Sequence, residues 1–265
     1  MKIVFVGAGN LATRLALSLK EAGHEILQVY SRTIVSATAL ASQLNCNATD
    51  SLEQVVYDAD VYIFAVKDTV LEQLAESVIP GREKALFLHT AGSMPVSVFA
   101  KACHYGVFYP MQTFSKSQHV EFREIPCFIE ASGQEELQKV KELAMSVSDR
   151  VYEVSTEDRR QLHLAAVFAC NFVNHCYALS AEILAARNIP FDVMWPLTDE
   201  TARKIHQLKP AEAQTGPALR YDRNVMDKQT ALLEQHPQWK EIYECMSRSI
   251  YELAQQKGGK QNDKL

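Results

Sequence analysis

Two groups of residues in this 265-residue chain have the types and the spacing that chemistry requires. The first follows an apolar segment, Lys2 to Val6, and reads Gly7-Ala8-Gly9-Asn10-Leu11-Ala12. This G-x-G-x-x-A pattern predicts a strand, a tight turn and a helix whose N–H groups and positive end bind a pyrophosphate. Gly7 permits the turn, Gly9 lets the backbone approach the phosphates, and Ala12 keeps the helix close to the strand.

A second apolar segment, Glu25 to Tyr30, ends in Ser31-Arg32-Thr33. A site for NAD usually has Asp or Glu about 20 residues beyond the glycines, where the carboxylate accepts hydrogen bonds from the ribose hydroxyls. Here a guanidinium stands between two hydroxyls, which favours the 2′-phosphate of NADP(H). For Arg32 taken by itself, the alternative is an ordinary solvated turn.

The second group lies on a helix expected to begin near Ser155, where the acids of the first turn follow a capping residue. At about 100° per residue, one third of its circumference carries mainly uncharged polar groups: His163, Val167, Asn171, Asn174 and His175. Such groups favour a cleft over open water. We expect Asn171 and His163 to donate a hydrogen bond or a proton to a substrate, with His175 nearby. A polar seam at a subunit contact is the alternative.

Further candidates follow the predicted strands, because ligands of an open parallel sheet bind beyond the carboxyl ends of its strands. For the cofactor these candidates are Ala65, Val66, Lys67, His89 and Thr90, and for the substrate Gln112. Plain connecting loops, or a structural histidine, are the alternatives.

A last candidate surrounds Gly216-Pro217, which breaks any helix. Thr215, Arg220 and Asp222 come from this fixed loop and are suited to an anionic substrate group. Alternatively, Arg220 and Asp222 pair with each other.

The elements that must position these residues divide the chain in two. Apolar strands alternate with helices through the first half, which predicts a parallel sheet covered on both faces. After Ser155 no strand pattern follows. We therefore predict an α/β protein with an N-terminal Rossmann-type, mainly parallel sheet (1–154), an all-α C-terminal domain (155–257) and a frayed polar tail (258–265).

Composition excludes several classes of function. A net charge of −5 gives no general affinity for nucleic acid or for an anionic membrane. The six cysteines have no C-x-x-C or metal-ligand spacing, so we expect no metal, reduced thiols and a cytoplasmic location. Met1 leads directly into the first strand, so we expect no signal peptide, and with no apolar run near the ~20 residues that a span requires we expect no membrane-spanning segment. The apolar helices of the second domain predict a homodimer.

The chain resembles Rossmann proteins with a DUF2520 C-terminal domain, which are compared with pyrroline-5-carboxylate reductase and F420-dependent NADP reductase. The motifs that carry the resemblance are Gly7 to Ala12, Ala65-Val66-Lys67-Asp68, Tyr109 to Phe114, Leu162 to Asn171, Trp195-Pro196-Leu197 and Thr215 to Asp222. The usual R-G-D of the last motif is Arg220-Tyr221-Asp222 here. The resemblance covers nearly the whole chain and implies an NADP oxidoreductase.

The wider superfamily, which includes 6-phosphogluconate dehydrogenase, carries a catalytic Lys-x-x-x-Asn on the first helix of its second domain. This chain has no lysine between Arg159 and Arg187, so with Asn171 in either position of that motif the lysine is missing. His163 or His175 is expected to donate the proton instead.

These observations predict an NADP(H)-dependent reductase of a C=O or C=N bond in a small anionic metabolite, with Arg220 as its anchor. The missing lysine also motivates a second hypothesis, a nucleotide-binding sensor or partner protein without turnover. Hydride exchange between NADP and a deazaflavin such as F420 is a third.

Overall fold

Strands and helices alternate through the first 153 residues, and only helices follow in the rest of the chain that the structure describes. The computed structural model describes residues 1–116 and 120–262, with side chains to residue 256. The strands are β1 (Lys2–Val6), β2 (Glu25–Tyr30), β3 (Asn47–Thr49), β4 (Val61–Phe64), β5 (Leu86–His89), β6 (His104–Pro110), β7 (Cys127–Ala131) and β8 (Val151–Glu153). The helices are α1 (Asn10–Glu21), α2 (Ile34–Leu44), α3 (Asp68–Val78), α4 (Gln134–Met145), α5 (Thr156–Ala166), α6 (Val173–Ala185), α7 (Trp195–Lys204), α8 (Pro217–Arg220), α9 (Arg223–Ala231) and α10 (Pro237–Asn262).

The strands form one sheet in the order β3-β2-β1-β4-β5-β6-β7-β8. All neighbouring pairs are parallel except β6 and β7, which run antiparallel. β1, β2, β4, β5 and β6 therefore present their carboxyl ends at one edge, the carboxyl edge of the sheet. The α/β fold class predicted from the sequence is confirmed.

Apolar residues on both faces of the central strands explain this layering. All four residues of β4 and of β5 are buried, as expected for strands covered by helices on either side. On one face, β1 packs with α1, α2 and α4; on the other, α3 packs against the aromatic residues of β4 and β5. Leu15 and Leu19 of α1 are fully buried and fix that helix against the sheet.

The chain divides into two compact units, residues 1–172 and 173–265. The sequence placed this division at residues 154 and 155, because strand patterns end there. In the structure α5 belongs with the sheet, since its Arg159 is fully buried and bonded to groups that follow β5 and lie on β7.

The second unit is entirely helical among its described residues. Within it, α8 packs against α10, and the rings of Tyr221 and Tyr251 lie 4.4 Å apart. α10 continues to Asn262, into the segment that the sequence predicts to be a frayed tail; residues 263–265 lie outside the described part of the chain.

One helical stretch corrects the expectation that no apolar run is long enough for a membrane. Thr156–Ala185 spans 30 residues and reaches a mean hydropathy of 1.3 over its most apolar window, so length and composition alone would allow it to span a bilayer. One such helix is weak evidence for a membrane span, because the core helix of a soluble protein passes the same test. Its register is interrupted by a π-helical segment at Val167–Phe172.

Candidate functional site

The glycine turn between β1 and α1 has the geometry of a phosphate-binding loop. Gly7 has a φ of +118°, and a Cβ there would lie 2.3 Å from the carbonyl oxygen of Ala65. A Cβ on Gly9, by contrast, would meet no atom of the described residues within 4 Å beyond its immediate neighbours. Gly7 is therefore required by the fold itself, whereas the space in front of Gly9 remains open to a ligand.

The first turn of α1 is suited to an anion. Gly9 caps it without a side-chain hydrogen bond, and no acidic residue lies in the first turn. The unpaired N–H groups and the helix dipole therefore present positive charge at the turn. Ala12 is fully buried against the sheet, as its predicted role in close packing requires.

The tip of β2 offers a free cation. Arg32 is exposed and forms no hydrogen bond or ion pair with any of the described residues. The next residue, Thr33, is the N-cap of α2 and accepts a hydrogen bond from the N–H of Ser36. A guanidinium beside the positive end of a helix fits a phosphate group. This arrangement agrees with the predicted site for a 2′-phosphate.

The segment after β6 folds back towards α1. The amide of Asn10 donates to the carbonyl of Phe114 over 2.9 Å, and Arg14 donates to the carbonyls of Ser115 and Lys116 over 2.9 and 2.6 Å. The side chain of Asn10 therefore holds this segment, which leaves its backbone N–H as its contribution to the predicted phosphate site. Gln112 is exposed on the same segment.

The end of β4 lies against the glycine turn. The N–H of Ala65 donates to the carbonyl of Val6 over 2.9 Å, and Val66 comes within 3.1 Å of a Cβ built on Gly7. Lys67 follows as the exposed N-cap of α3. Ala65 and Val66 thus lie beside the turn, and their contact with a cofactor stays a prediction, as does that of Lys67.

His89 at the end of β5 differs from its prediction as a cofactor contact. Its side chain is fully buried, Nδ1 accepts a hydrogen bond from the N–H of Ala91 over 3.2 Å, and Nε2 donates to the carbonyl of Pro95 over 3.3 Å. Burial, with the Arg159 charge as a second cause, lowers the pKa of His89 to about 3. The neutral ring therefore shapes the loop and has no nitrogen left for a ligand. Thr90 is also buried, and its hydroxyl donates to the carbonyl of Phe64.

Arg159 was not singled out by the sequence, yet it holds this loop in place. One terminal nitrogen donates to the carbonyls of Ala91, Gly92 and Met94 over 2.8, 3.1 and 2.7 Å, and the other forms a 2.9 Å ion pair with Glu130 of β7. A guanidinium has five donors in a fixed plane, which is why one side chain can tie three carbonyls to a carboxylate. An arginine in the first turn of a helix predicts an exposed charge, so the sequence contained no signal for this role.

His163 of α5 contacts the carboxyl edge of the sheet. Its Nδ1 lies 3.0 Å from the hydroxyl of Tyr109 in β6. A Cβ on Gly92 would lie 2.6 Å from the same nitrogen, so the ring is packed directly against the loop backbone. Burial raises the pKa of Tyr109, partly offset by the Arg159 charge, so this phenol keeps its proton at neutral pH.

Asn171 and His175 do not extend this contact. Both are exposed, and Asn171 lies within the π-helical segment. A π-helical turn contains one residue more than an α-helical turn, so the constant 100° step that defined the predicted polar stripe does not hold beyond Val167. Eight residues also separate His163 from Asn171, or about 12 Å along a helix axis, too far for both to contact one substrate atom.

The predicted anion loop lies in the second unit. Thr215 and Arg220 are exposed, and the Arg220 guanidinium forms no hydrogen bond or ion pair with the described residues. Asp222 instead caps α9 by accepting a hydrogen bond from the N–H of Val225. The alternative pairing of Arg220 with Asp222 is therefore absent. Tyr221 between them has a φ of +54°, the left-handed conformation that the glycine of the R-G-D pattern adopts readily.

These features define a class of protein first: a Rossmann-type unit with an open glycine turn after its first strand, followed by a helical unit. Residues 2–88 match the family described as NADP oxidoreductase coenzyme F420-dependent, and residues 125–250 match the Domain of unknown function DUF2520. A Bacteroides fragilis protein, whose crystal structure carries the provisional name NADP oxidoreductase, is 52% identical with a TM-score of 0.91, over 95% of this chain and 98% of its own. The chain belongs to this family of NADP oxidoreductase-like proteins with a DUF2520 domain.

Two more distant structures share the fold. An imine reductase from Myxococcus stipitatus in complex with NADP+ is 16% identical with a TM-score of 0.66, over 97% of this chain and 93% of its own. A 1-pyrroline-5-carboxylate reductase from Streptococcus pyogenes is 14% identical with a TM-score of 0.61, over 95% and 98%. At these identities the similarity extends to the fold alone. No curated protein matches the chain.

Proposed function

We propose that this protein is an NADP(H)-dependent reductase of a C=N or C=O bond in a small anionic metabolite. The observation that carries the proposal is the guanidinium of Arg32, which has no partner in the described part of the chain and lies next to the N-terminus of α2, one strand away from the open glycine turn. The two distant relatives are named for reductions of C=N compounds, which favours that bond type for the substrate.

The residues present fit the dinucleotide along the carboxyl edge. The N–H groups around Gly9 would hold the pyrophosphate, and Arg32 with Ser31 and Thr33 would hold the 2′-phosphate. Ala65 and Val66 would lie against the ribose next to the nicotinamide. When bound, reduced NADP supplies a hydride to the acceptor carbon.

The protein itself must supply a hydrogen-bond donor or an acid at the acceptor heteroatom. We assign this role to His163, because its ring is held at the carboxyl edge by Tyr109 and by the loop that follows β5. Arg220, exposed and without a partner among the described residues, is our proposed anchor for the anionic group of the substrate. Gln112 and Thr215 remain proposed substrate contacts.

Isothermal titration calorimetry with NADPH and NADH tests the cofactor assignment. Removing a charge-assisted contact to phosphate costs about 1.5 to 3 kcal/mol, so Arg32→Gln should weaken NADPH binding about 10- to 100-fold and leave NADH binding unchanged. Lys84→Gln, which removes one exposed positive charge before β5 at the opposite edge, is the matched control. Equal affinity of the wild-type protein for both dinucleotides would contradict the assignment.

Turnover is tested by following NADPH oxidation with a panel of cyclic imines and keto acids that carry a carboxylate. Arg220→Gln should raise the KM of the accepted substrate about 10-fold or more, with NADPH affinity unchanged. Binding of NADPH without oxidation over the whole panel would favour the second hypothesis, a sensor, which the missing lysine motivates. If NADPH is oxidised by a deazaflavin and by no imine or keto acid of the panel, the third hypothesis, with F420 as the hydride acceptor, is favoured.

We also propose a cytoplasmic homodimer. All six cysteines are free thiols in the structure, as expected for a reducing compartment. No residue of α6 is buried, and apolar side chains are exposed along it and before it: Leu164, Phe168, Phe172, Tyr177 and Ile183. A second copy of the chain would cover such a surface. Light scattering should give twice the 29.8 kDa chain mass without detergent; a requirement for detergent would favour a membrane instead.

A further inference from the structure

Tyr109 is the one residue that bonds to the imidazole of His163 among the described residues. We propose that Tyr109 is the positioning residue for proton delivery: its hydroxyl holds His163 by Nδ1 so that Nε2 faces the substrate. The inference rests on the proposed function and adds to it the atom that delivers the proton, Nε2 of His163, and the group that orients it, the Tyr109 hydroxyl.

The hydrogen-bonding capacity of the two side chains supports this assignment. The Tyr109 hydroxyl has no acceptor other than His163 among the described residues. A largely buried hydroxyl that lacks an acceptor is costly, so in the resting neutral imidazole its proton points to Nδ1. The neutral ring then carries its hydrogen on Nε2, which bonds to no described residue.

A hydroxyl suits this position because it both donates and accepts. In the imidazolium, Nδ1 carries a hydrogen and donates to the Tyr109 oxygen, while Nε2–H remains directed away from Tyr109. The ring therefore keeps one orientation before and after it loses a proton. A carboxylate or a carbonyl oxygen would accept only, and would hold the neutral ring in the opposite tautomer.

Packing fixes the ring from the other side. A Cβ on Gly92 would overlap Nδ1, Cγ and Cβ of His163 at 2.6 to 2.9 Å, so no larger residue leaves room for the imidazole here. The carbonyl of Gly92 is in turn held by Arg159, and Arg160 donates to the carbonyl of Ser93 over 2.8 Å. The loop that follows β5 is thus held in place on one side of the His163 ring, while Tyr109 binds the ring through Nδ1.

The position in the sheet is that of the reactive end of a dinucleotide. β1, β4, β5 and β6 are consecutive neighbours, so at about 4.8 Å per strand Tyr109 lies roughly 14 Å from the glycine turn. It is the penultimate residue of β6, at the carboxyl edge. The pair Tyr109 and His163 therefore lies on the side of the glycine turn opposite the Arg32 tip of β2.

The proton balance of the step is simple. The acceptor carbon gains the hydride, with its two electrons, and the adjacent nitrogen or oxygen gains one proton. That proton leaves Nε2 of the imidazolium, so the Nε2–H bond breaks and the ring is for that moment the other neutral tautomer, with Nδ1–H donating to the Tyr109 oxygen. Water then returns a proton to Nε2.

The first test needs no substrate. In protein with ¹⁵N-labelled histidine at pH 8.5, the Nδ1 resonance of His163 should be that of an acceptor in a hydrogen bond, and Nε2 that of a protonated nitrogen. The chain has eight histidines, and His163→Gln assigns the resonance. Tyr109→Phe should move Nδ1 to the position of an unbonded nitrogen. Tyr152→Phe is the matched control, since Tyr152 also packs on Phe128 but its hydroxyl bonds to no described residue.

The second test is kinetic. General acid catalysis raises a reaction rate about 100- to 10,000-fold. In Tyr109→Phe, where His163 is no longer held in its orientation, kcat should therefore fall about 10- to 100-fold, with the NADPH dissociation constant unchanged. Tyr152→Phe should retain the wild-type kcat. If Tyr109→Phe matches that control in kcat, or if its Nδ1 resonance is unchanged, the positioning role is refuted while the reductase assignment stands. If the wild-type protein oxidises NADPH with none of the compounds in the panel, the reductase assignment fails and the role in proton delivery fails with it.

Discussion

Neutral His89 should make the sheet unit sensitive to acid. Its pKa falls from 6.5 to about 3 on folding, so between these values the unfolded chain binds one proton more than the folded one. The stability that the neutral ring provides is therefore complete above pH 6.5 and is lost as the pH falls, by about 1.4 kcal/mol per unit. At pH 5 the loss amounts to about 2 kcal/mol relative to pH 8.

A His89→Asn variant isolates this effect. Asparagine retains an acceptor near the N–H of Ala91 and does not titrate, so the variant should be less stable at pH 8 but should lose about 2 kcal/mol less than the wild type on going to pH 5. His206→Asn, at an exposed position of the second unit, controls for removal of a histidine. The quantity that matters is the change in stability with pH, and the packing lost at position 89 cancels from it.

Urea unfolding at both pH values measures it. Both tryptophans, Trp195 and Trp239, lie in the second unit, so their fluorescence reports on the helices, whereas far-ultraviolet circular dichroism includes the sheet. The circular dichroism midpoint should fall more steeply with pH for the wild type than for His89→Asn. Equal slopes in the two proteins would refute the assignment of His89 as a buried neutral ring.

Further predictions concern the glycine turn, the buried Arg159 and the second unit. Gly9→Ala should keep the wild-type stability but weaken NADPH binding at least about 10-fold. Gly7→Ala, with a positive φ and a clash, should lose about 2 kcal/mol or more of unfolding free energy. A larger loss of stability in Gly9→Ala than in Gly7→Ala, measured by calorimetry, would contradict these roles of the two glycines. Arg159→Met leaves Glu130 without its ion-pair partner and should cost about 3 kcal/mol in urea unfolding, while Arg160→Met costs under about 1. Tyr221→Gly relieves about 1 kcal/mol of left-handed strain but loses a ring contact of similar size, so its thermal midpoint should exceed that of Tyr221→Ala.

The parallel sheet could be predicted because each of its strands has a recognisable pattern within its own few residues. Segments such as Val61–Phe64 and Leu86–His89 are short, apolar and bounded by turn residues, a pattern that burial on both faces imposes. The glycine turn could be predicted for the same reason, since Gly7 meets a steric demand set by its immediate surroundings. The free guanidinium of Arg32 also follows from local order, because it directly precedes the cap of α2.

The contacts of Arg159 with the loop after β5 and with Glu130 could not be predicted, because they join groups far apart in the chain. Arg159 reaches carbonyls more than 60 residues earlier, and its burial contradicts the ordinary expectation for a charged residue in a first helical turn. His89 was misassigned for a related reason: a histidine at a strand end satisfies the pattern of a ligand contact, and only the burial of the ring distinguishes a structural role. The π-helical segment also has no periodic signature.

The missing lysine of the superfamily motif then has a structural interpretation. Val167 takes the lysine position when Asn171 is aligned with the asparagine, and His163 lies one turn before it, about 6 Å along the axis on the same face. A lysine ammonium on its long flexible side chain could reach a substrate in many conformations, whereas the shorter imidazole of His163 must be held in one orientation at the sheet. Tyr109 and the close approach at Gly92 supply that constraint, and Arg159 holds the loop on which it depends. On the proposed role of His163, the acid lies one turn before the position of that lysine, so the absence of lysine alone is a weak argument for a protein without turnover.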